Sequence, residues 1–271
     1  MTDDESHSPL PLSVSVIASN EEANLERCLR SVDGLAEEII LVHNDCKDRT
    51  VEIAESFGAH CFQETWHGHR DQKNLALEKT SLPWTLCLDA DEELSAPLRT
   101  SLRTFLENAS ENAAFDGAYF SRLSFFLGRW IKHGDWYPDH NLRLVRRNRG
   151  RWSGSREHDK MKVEGRTKKL SGDLLHYSFP SIRSYLVKTN YYADVFLQRQ
   201  LDAGKSWRLR DAALRPLWRF FRTYVLRRGF LDGFPGFFLA FATAFSTLVR
   251  HSRLYEEEAR LRVDERGHSI P

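Results

Sequence analysis

From Leu12 to Leu106 the chain alternates short β-rich runs with helical patterns, and few folds accept that order. Leu12 to Ala18 (LSVSVIA) is the first run, and the helix after it places Leu25, Cys28, Leu29 and Val32 at i, i+3, i+4 and i+7. Glu38 to Val42 (EIILV) is the second run, followed by a helix over Asp48 to Phe57 that Gly58 stops. His60 to Gln63 is a third strand, Arg70 to Lys79 a third helix, and Trp84 to Leu88 a fourth strand ending at Asp89. Leu98, Leu102, Phe105 and Leu106 mark another helix. This spacing predicts an α/β fold with a mostly parallel central sheet flanked by helices, whose ligands bind outside the carboxyl ends of the strands. Three polar segments occupy those ends: Ser19-Asn20-Glu21-Glu22, His43-Asn44-Asp45-Cys46-Lys47-Asp48 and Asp89-Ala90-Asp91-Glu92-Glu93.

No GxGxxG or GxxxxGK[ST] pattern is present, which disfavours a dinucleotide fold and a P-loop ATPase. With 271 residues and 41% hydrophobic residues the chain can bury a core, and disordered or disulfide-stapled classes are excluded. The net charge of +1 conceals an asymmetry: residues 1–118 hold 9 Lys+Arg against 23 Asp+Glu, and the rest hold 30 against 15. An anionic partner near the C-terminal half, phosphate or membrane surface, is one reading, and a solvated basic face is the other. Cys28, Cys46, Cys61 and Cys87 have no CxxC spacing and read as thiols. Together with an acidic, polar start over 1–11, read as disordered and carrying no secretory signal, they predict a reduced cytoplasmic protein.

From Gly117 onward the periodicity weakens, and aromatics, glycines and arginines suggest irregular active-site structure within one catalytic domain over 12–180. A helical extension is expected over 181–260, with Gly204 stopping its first helix, and a flexible tail over 261–271. Within the extension, Lys205 to Arg228 carries eight Lys/Arg and one acid, and Gly233 to Val249 is uncharged.

Asp89-Ala90-Asp91 follows a hydrophobic strand directly. Two carboxylates so spaced can hold Mg²⁺ or Mn²⁺ with positions left for phosphate oxygens, or they can simply form an acidic turn. Glu92 and Glu93 can start the next helix with favourable dipole charge.

The wider pattern resembles family 2 glycosyltransferases. Ile17-Ala18-Ser19-Asn20-Glu21-Glu22, Asp48-Arg49-Thr50, Gln72-Lys73-Asn74 and Leu88-Asp89-Ala90-Asp91-Glu92 stand in that family's order and spacing. Phe125-Phe126-Leu127-Gly128-Arg129-Trp130, Trp136-Tyr137-Pro138-Asp139, Leu142-Arg143-Leu144 and His158-Asp159 look like its lipopolysaccharide inner-core glucosyltransferase branch. The resemblance implies a GT-A fold and inverting transfer of a sugar, glucose in that branch, from a nucleotide-diphospho-sugar to a glycolipid or lipopolysaccharide-core acceptor. It implies a metal at the DxD-like Asp91 with Asp89, neutralising the leaving diphosphate. Lys73 adds a fixed positive charge there or is a solvated helix lysine. Asn20, Glu21 and Glu22 would flank the nucleoside, with Asn20 otherwise a helix N-cap. His43 stands where the family commonly has a uracil-binding Asp, leaving Asn44 or Asp45 to make that contact and UDP as the leading nucleotide. Asp48 reads as the cap of its helix.

Inversion needs a base near the acceptor hydroxyl. Asp135, Asp139, Glu157 and Asp159 are candidates, with Asp139 first and Asp159 second. Trp136, Tyr137 and Arg143 would bind the acceptor or its phosphates, and Arg146 is a further phosphate candidate. The basic, aromatic and apolar stretch 205–249 predicts a peripheral helix at the inner face of the cytoplasmic membrane, or a helix that packs on the domain or mediates oligomerisation. No nucleic-acid-binding module is recognised. A nucleotidyltransferase or a non-catalytic, transferase-like membrane scaffold are the alternatives.

Overall fold

The computed structural model describes residues 8–108, 110–155 and 158–264. In chain order the elements are β1 (Leu10–Ala18), α1 (Glu22–Val32), β2 (Ala36–His43), α2 (Thr50–Ser56), β3 (His60–Gln63), α3 (His69–Glu78), β4 (Trp84–Asp89), β5 (Glu92–Leu94) and α4 (Ala96–Glu107). There follow β6 (Gly117–Phe126), β7 (Arg129–Trp130), β8 (Asp139–Arg146), β9 (Gly150–Ser155), β10 (His158–Val163) and β11 (Thr167–His176). The helices α5 (Ile182–Asp202), α6 (Leu209–Phe221) and α7 (Gly233–Asp264) complete the chain, with a π turn over Arg222–Leu226 and a 3₁₀ turn over Gly229–Asp232. Of the segment 1–11 read as disordered, residues 1–7 lie outside the described range, while Leu10 and Pro11 already belong to β1. The expected tail 261–271 lies outside it from residue 265, and residues 261–264 are helical.

The chain divides into two compact units, Met1–Leu123 with Asp139–Tyr177, and Ser124–Pro138 with Ser178–Pro271. In the first, the strand order is β3-β2-β1-β4-β8-β6-β11-β5. β1 runs parallel to β2 and β4, and β2 parallel to β3, as the βα alternation requires. Leu12, Val14 and Val16 of β1 are fully buried, and Leu25, Cys28, Leu29 and Val32 of α1 join the same core. Complete burial of each large apolar side chain contributes about 1.5–3 kcal/mol. Ser13 and Ser15 are also buried, and Ser13 donates to Glu38 of β2, so this strand is covered on both faces.

The segment from Gly117 to His176 is not irregular as the sequence suggests. It supplies regular strands: β8 pairs antiparallel with β4, β6 antiparallel with β8, and β11 antiparallel with β5, while β9 and β10 form a separate hairpin. Their signal is obscured because polar groups point inward. β6 buries two residues of every three, Ser121 and Ser124 among them, and β8 buries Arg143, so neither shows a clean period of two. Glu92 and Glu93 likewise form β5 rather than starting a helix; α4 begins after Ser95, whose hydroxyl accepts from the Leu98 amide at 3.3 Å.

The second unit is built on an aromatic core of Phe126, Tyr185, Phe238, Trp136 and Phe179, with Ile131, Leu239 and Ala242. α5 ends where Gly204 adopts φ +60° and donates its amide to the Leu201 carbonyl at 2.9 Å. α7 packs on α5 and α6. By length and composition the helix over Gly229–Leu261 suffices to cross a membrane, yet 44% of its most apolar window is buried within the protein.

Gly172 of β11 has φ +93°, and a Cβ there would lie 2.3 Å from the Leu98 amide nitrogen and 2.6 Å from its Cα. Both obstacles are backbone, so Gly172→Ala should cost about 2 kcal/mol or more. Urea unfolding of the variant checks this, and an unchanged midpoint would contradict the close approach of β11 to α4.

Candidate active site

The carboxyl end of β4 carries a knot of charge. Asp89 closes the strand, Ala90 and Asp91 turn, and Glu92 opens β5. The Asp89 carboxylate accepts from Lys73 Nζ of α3 at 2.8 Å and from Arg143 of β8 at 2.9 Å. Glu92 is completely buried; one oxygen accepts from the Asp89 amide at 2.9 Å and the other from Arg143 at 2.7 Å. Arg122 of β6 approaches Glu92 at 3.6 Å and grips Asp139, the first residue of β8, at 2.8 and 3.0 Å. Lys73 also meets Asp159 of β10 at 3.0 Å. Trp152 of β9 lies against both cations, its ring centroid 4.5 Å from Lys73 Nζ and 5.4 Å from the Arg143 guanidinium carbon. Asn74, one turn-mate of Lys73, fixes Trp152 by donating to its carbonyl at 3.0 Å and accepting from its amide at 2.9 Å.

Burial alone would raise the Asp89 carboxyl. The Lys73 ammonium and Arg143 guanidinium outweigh it and hold Asp89 well below the usual carboxylate range. For Glu92 burial wins: its carboxyl is raised despite Arg143, and the Asp89 charge adds to the rise. Burial also lifts Glu21, and Asp91, Asp48 and Asp89 push in the same direction, which places Glu21 within reach of this negative field.

Asp91 stands apart from the knot. Its carboxylate lies 3.3 Å from Nε2 of His176, the last residue of β11, and its carbonyl accepts from the Tyr177 amide at 3.0 Å. Tyr177 in turn donates its hydroxyl to Glu93 at 3.0 Å and lies 3.6 Å beneath the Arg27 guanidinium.

The loops after β1 and β2 are tied to each other. Asn20, at φ +57°, is not the N-cap of α1; its side chain accepts from the Lys47 amide at 2.7 Å. The Glu22 amide donates to Asp48 at 3.0 Å, and Glu22 returns the bond by accepting from the Arg49 amide at 3.1 Å. Asp48 also accepts from the Thr50 amide at 3.1 Å at the start of α2, and the Glu21 amide donates to the Thr50 hydroxyl at 2.8 Å. Asn44 donates its amide to the Ala18 carbonyl at 3.3 Å, while Asp45 is exposed and pairs with Lys47 at 2.8 Å. His43 is buried, and among the described residues its Nδ1 has no hydrogen-bond partner.

Several expectations need correction. Arg143 is 3% exposed and bonded to the buried Glu92 and the partly buried Asp89, so it braces the site instead of meeting an acceptor phosphate. Arg146 likewise donates to the Phe115 carbonyl at 3.0 Å and lies over Trp84, which makes it a brace between strands. Asp89 has one oxygen on Lys73 and the other on Arg143, so it is engaged by two cations of the scaffold. Lys73 is not a solvated helix lysine, its side chain being 12% exposed. Trp136 and Tyr137 belong to the second unit, where Trp136 packs on Phe126, Phe179 and Tyr185. Asp135 is there too, caged by Arg219, Arg222 and Arg227, and so is no free base. Glu157 lies outside the described residues. Arg122, Trp152 and His176 carry no motif; only their strand partners reveal them.

Residues 13–163, more than half of the chain, match the sequence profile of Glycosyl transferase family 2. The chain belongs to that family. This family 2 glycosyltransferase therefore has the GT-A fold that its sequence resemblance implies, with the parallel half-sheet and polar strand ends described above. It is 31% identical over 257 residues to the lipopolysaccharide core biosynthesis glycosyltransferase LpsC of Rhizobium meliloti, covering 90% of this chain and 94% of that one. It is 30% identical to an uncharacterized glycosyltransferase of Rickettsia typhi, covering 90% of this chain and 87% of the relative. Among solved structures it is similar to residues 1–349 of S. aureus TarS in complex with UDP-GlcNAc, with a TM-score of 0.46 and 12% identity over 88% of this chain and 81% of that one.

In this glycosyltransferase, removing Arg143 would leave the buried Glu92 and the partly buried Asp89 with one counter-charge fewer between them. Arg143→Met should lower stability by about 3–5 kcal/mol. Equilibrium urea unfolding measures it; a loss below about 1 kcal/mol would mean that the two carboxylates do not depend on this guanidinium.

Proposed function

We propose that this family 2 glycosyltransferase moves a sugar, with inversion, from a nucleotide-diphospho-sugar, UDP being the favoured nucleotide, to a lipopolysaccharide-core or related glycolipid acceptor. The observation that carries the reading is the pairing of Asp91 with His176 beside an Asp89 already neutralised by Lys73 and Arg143. The likeness to LpsC along nearly the whole chain supports the acceptor class.

Among the described residues no three His, Cys, Asp or Glu side chains converge as a complete metal cage. A cation that a diphosphate shares does not need one. The Asp91 oxygen and the His176 nitrogen are two donors suited to Mg²⁺ or Mn²⁺, with the remaining positions left to diphosphate oxygens and water. Bound there, the ion supplies Lewis-acid neutralisation of the leaving diphosphate. Lys73, held between Asp89 and Asp159, keeps a positive charge at the same strand end. Asn20, Glu21, Glu22, His43, Asn44 and Asp45 line the loops after β1 and β2, where the nucleoside would rest, and the uncommitted Nδ1 of His43 is available to a base edge.

In this reading Asp139 takes the proton from the acceptor hydroxyl as its oxygen bonds to the anomeric carbon and the bond to diphosphate breaks. Arg122 fixes the orientation of that carboxylate. Asp159 is the second candidate, bound to Lys73 in the same cluster. The acceptor class and the basic, apolar stretch 205–249 support a location at the inner face of the cytoplasmic membrane.

Two measurements test this. His176→Gln and Asp91→Asn should each weaken Mn²⁺-dependent UDP binding, read by calorimetry, by at least about 10-fold. Unchanged metal dependence in both would remove the pair from the metal site. Asp139→Asn should lower kcat by roughly 10²–10⁴-fold with donor affinity retained; if Asp159→Asn alone does so, the base is Asp159.

A further inference from the structure

Helices of water-soluble proteins turn their large apolar side chains inward. In the second unit α6 and α7 also turn large apolar side chains outward. α6 buries Ala212 and Pro216 and exposes Leu214, Leu217, Trp218 and Phe221, which fall at i, i+3, i+4 and i+7. α7 exposes Phe234, Phe237, Phe241 and Phe245 on one face, Phe234 at 66%. The two helices that carry these stripes pack together, and Phe237 of α7 meets Phe220 of α6 and Tyr224 of the π turn edge-on, at ring separations of 6.4 and 5.8 Å.

Beside the α6 stripe lies an unusual charge arrangement. Asp135, with its side chain 8% exposed, is approached by Arg219 at 3.0 Å, Arg222 at 2.8 Å and Arg227 at 2.9 Å, and accepts from the Thr223 hydroxyl at 2.9 Å. The π turn after α6 carries the chain from Arg222 to Arg227, so that both reach one carboxylate. One negative charge thus gathers three guanidiniums, and their side chains, between a third and a half exposed, carry two uncompensated positive charges into solvent. Like charges held together need an anion of higher charge density than the one that organises them, and planar guanidiniums match phosphate oxygens.

We propose that α6, the π turn and α7 form a bilayer-docking surface in which the apolar stripes enter the acyl boundary while the arginines held by Asp135 bind phosphates of anionic lipid headgroups. This rests on the membrane-bound acceptor of the proposed function and adds the residues that read the membrane. Asp135, in the sequence a candidate base, acts as the anchor that gathers the arginines.

The test uses the full chain and flotation with vesicles of phosphatidylcholine, alone or mixed with phosphatidylglycerol. Wild type should bind the anionic vesicles at least about 10-fold more tightly than the neutral ones, with affinity falling as salt rises. Arg219→Gln/Arg227→Gln should lose the anionic preference, and Phe234→Ser/Phe241→Ser should lose binding to both. Thermal melting and UDP binding, a property of the first unit, report whether each variant is folded. Absence of UDP binding in wild type would defeat the proposed function while leaving the vesicle result standing. Salt-independent binding, or equal binding by the arginine variant, would overturn the headgroup site. Thermal stabilisation by free glycerol phosphate without vesicle binding would assign the arginines to a soluble phosphate and overturn the proposal. A stable dimer without vesicle binding, dissociated by the phenylalanine substitutions, would do the same by making the face a self-association surface.

Discussion

Holding the buried Glu92 and the partly buried Asp89 together at the carboxyl end of β4 is the constraint on which the first unit turns. Each buried carboxylate costs several kcal/mol unless it is paired, and two of them repel. The protein meets this with a single guanidinium, Arg143, between both, and with Lys73 and Arg122 on the outer sides. Those cations come from α3, β6 and β8, so neutralising two charges obliges three separate elements to assemble around one strand end. The antiparallel half of the sheet is thereby locked to the parallel half by charge as well as by backbone hydrogen bonds.

That dependence explains why Asp89 and Asp91 differ despite standing one residue apart. Asp89 serves the scaffold, and its negative charge is cancelled before any ligand arrives. Asp91 faces His176 at 3.3 Å, across a turn that the Tyr177 amide pins in place. Two carboxylates of one acidic triplet thus have different surroundings: Asp89 is held by Lys73 and Arg143, and Asp91 faces His176.

The parallel half of the fold was legible because its signals are local: β-rich runs, amphipathic helices and glycine stops lie within a few residues of one another. β3 is placed to the residue, and the four apolar residues read for α1 are the ones it buries. The antiparallel half was not, since β6 and β8 bury serines and arginines for long-range pairing, which breaks the period of two. The same reason governs the site. Asp89, Asp91 and Lys73 stand in recognisable spacing, whereas His176 acquires meaning only when β11 returns beside β5. Arg143 and Asp135 looked like free functional groups because sequence shows charge and hides burial.

The segment Ser124–Pro138 leaves the first unit within β6 and returns to it at β8. While away, it contributes Phe126, Ile131 and Trp136 to the aromatic core that Tyr185 and Leu239 complete, and Asp135 to the arginines of α6. The C-terminal helices are therefore not an appendage that evolution or an experimenter could detach at Gly204. Their folding partner is written inside the catalytic sequence, immediately upstream of Asp139, so the two units are one inheritance: a chain that loses its helices strands the loop that leads to its own base candidate.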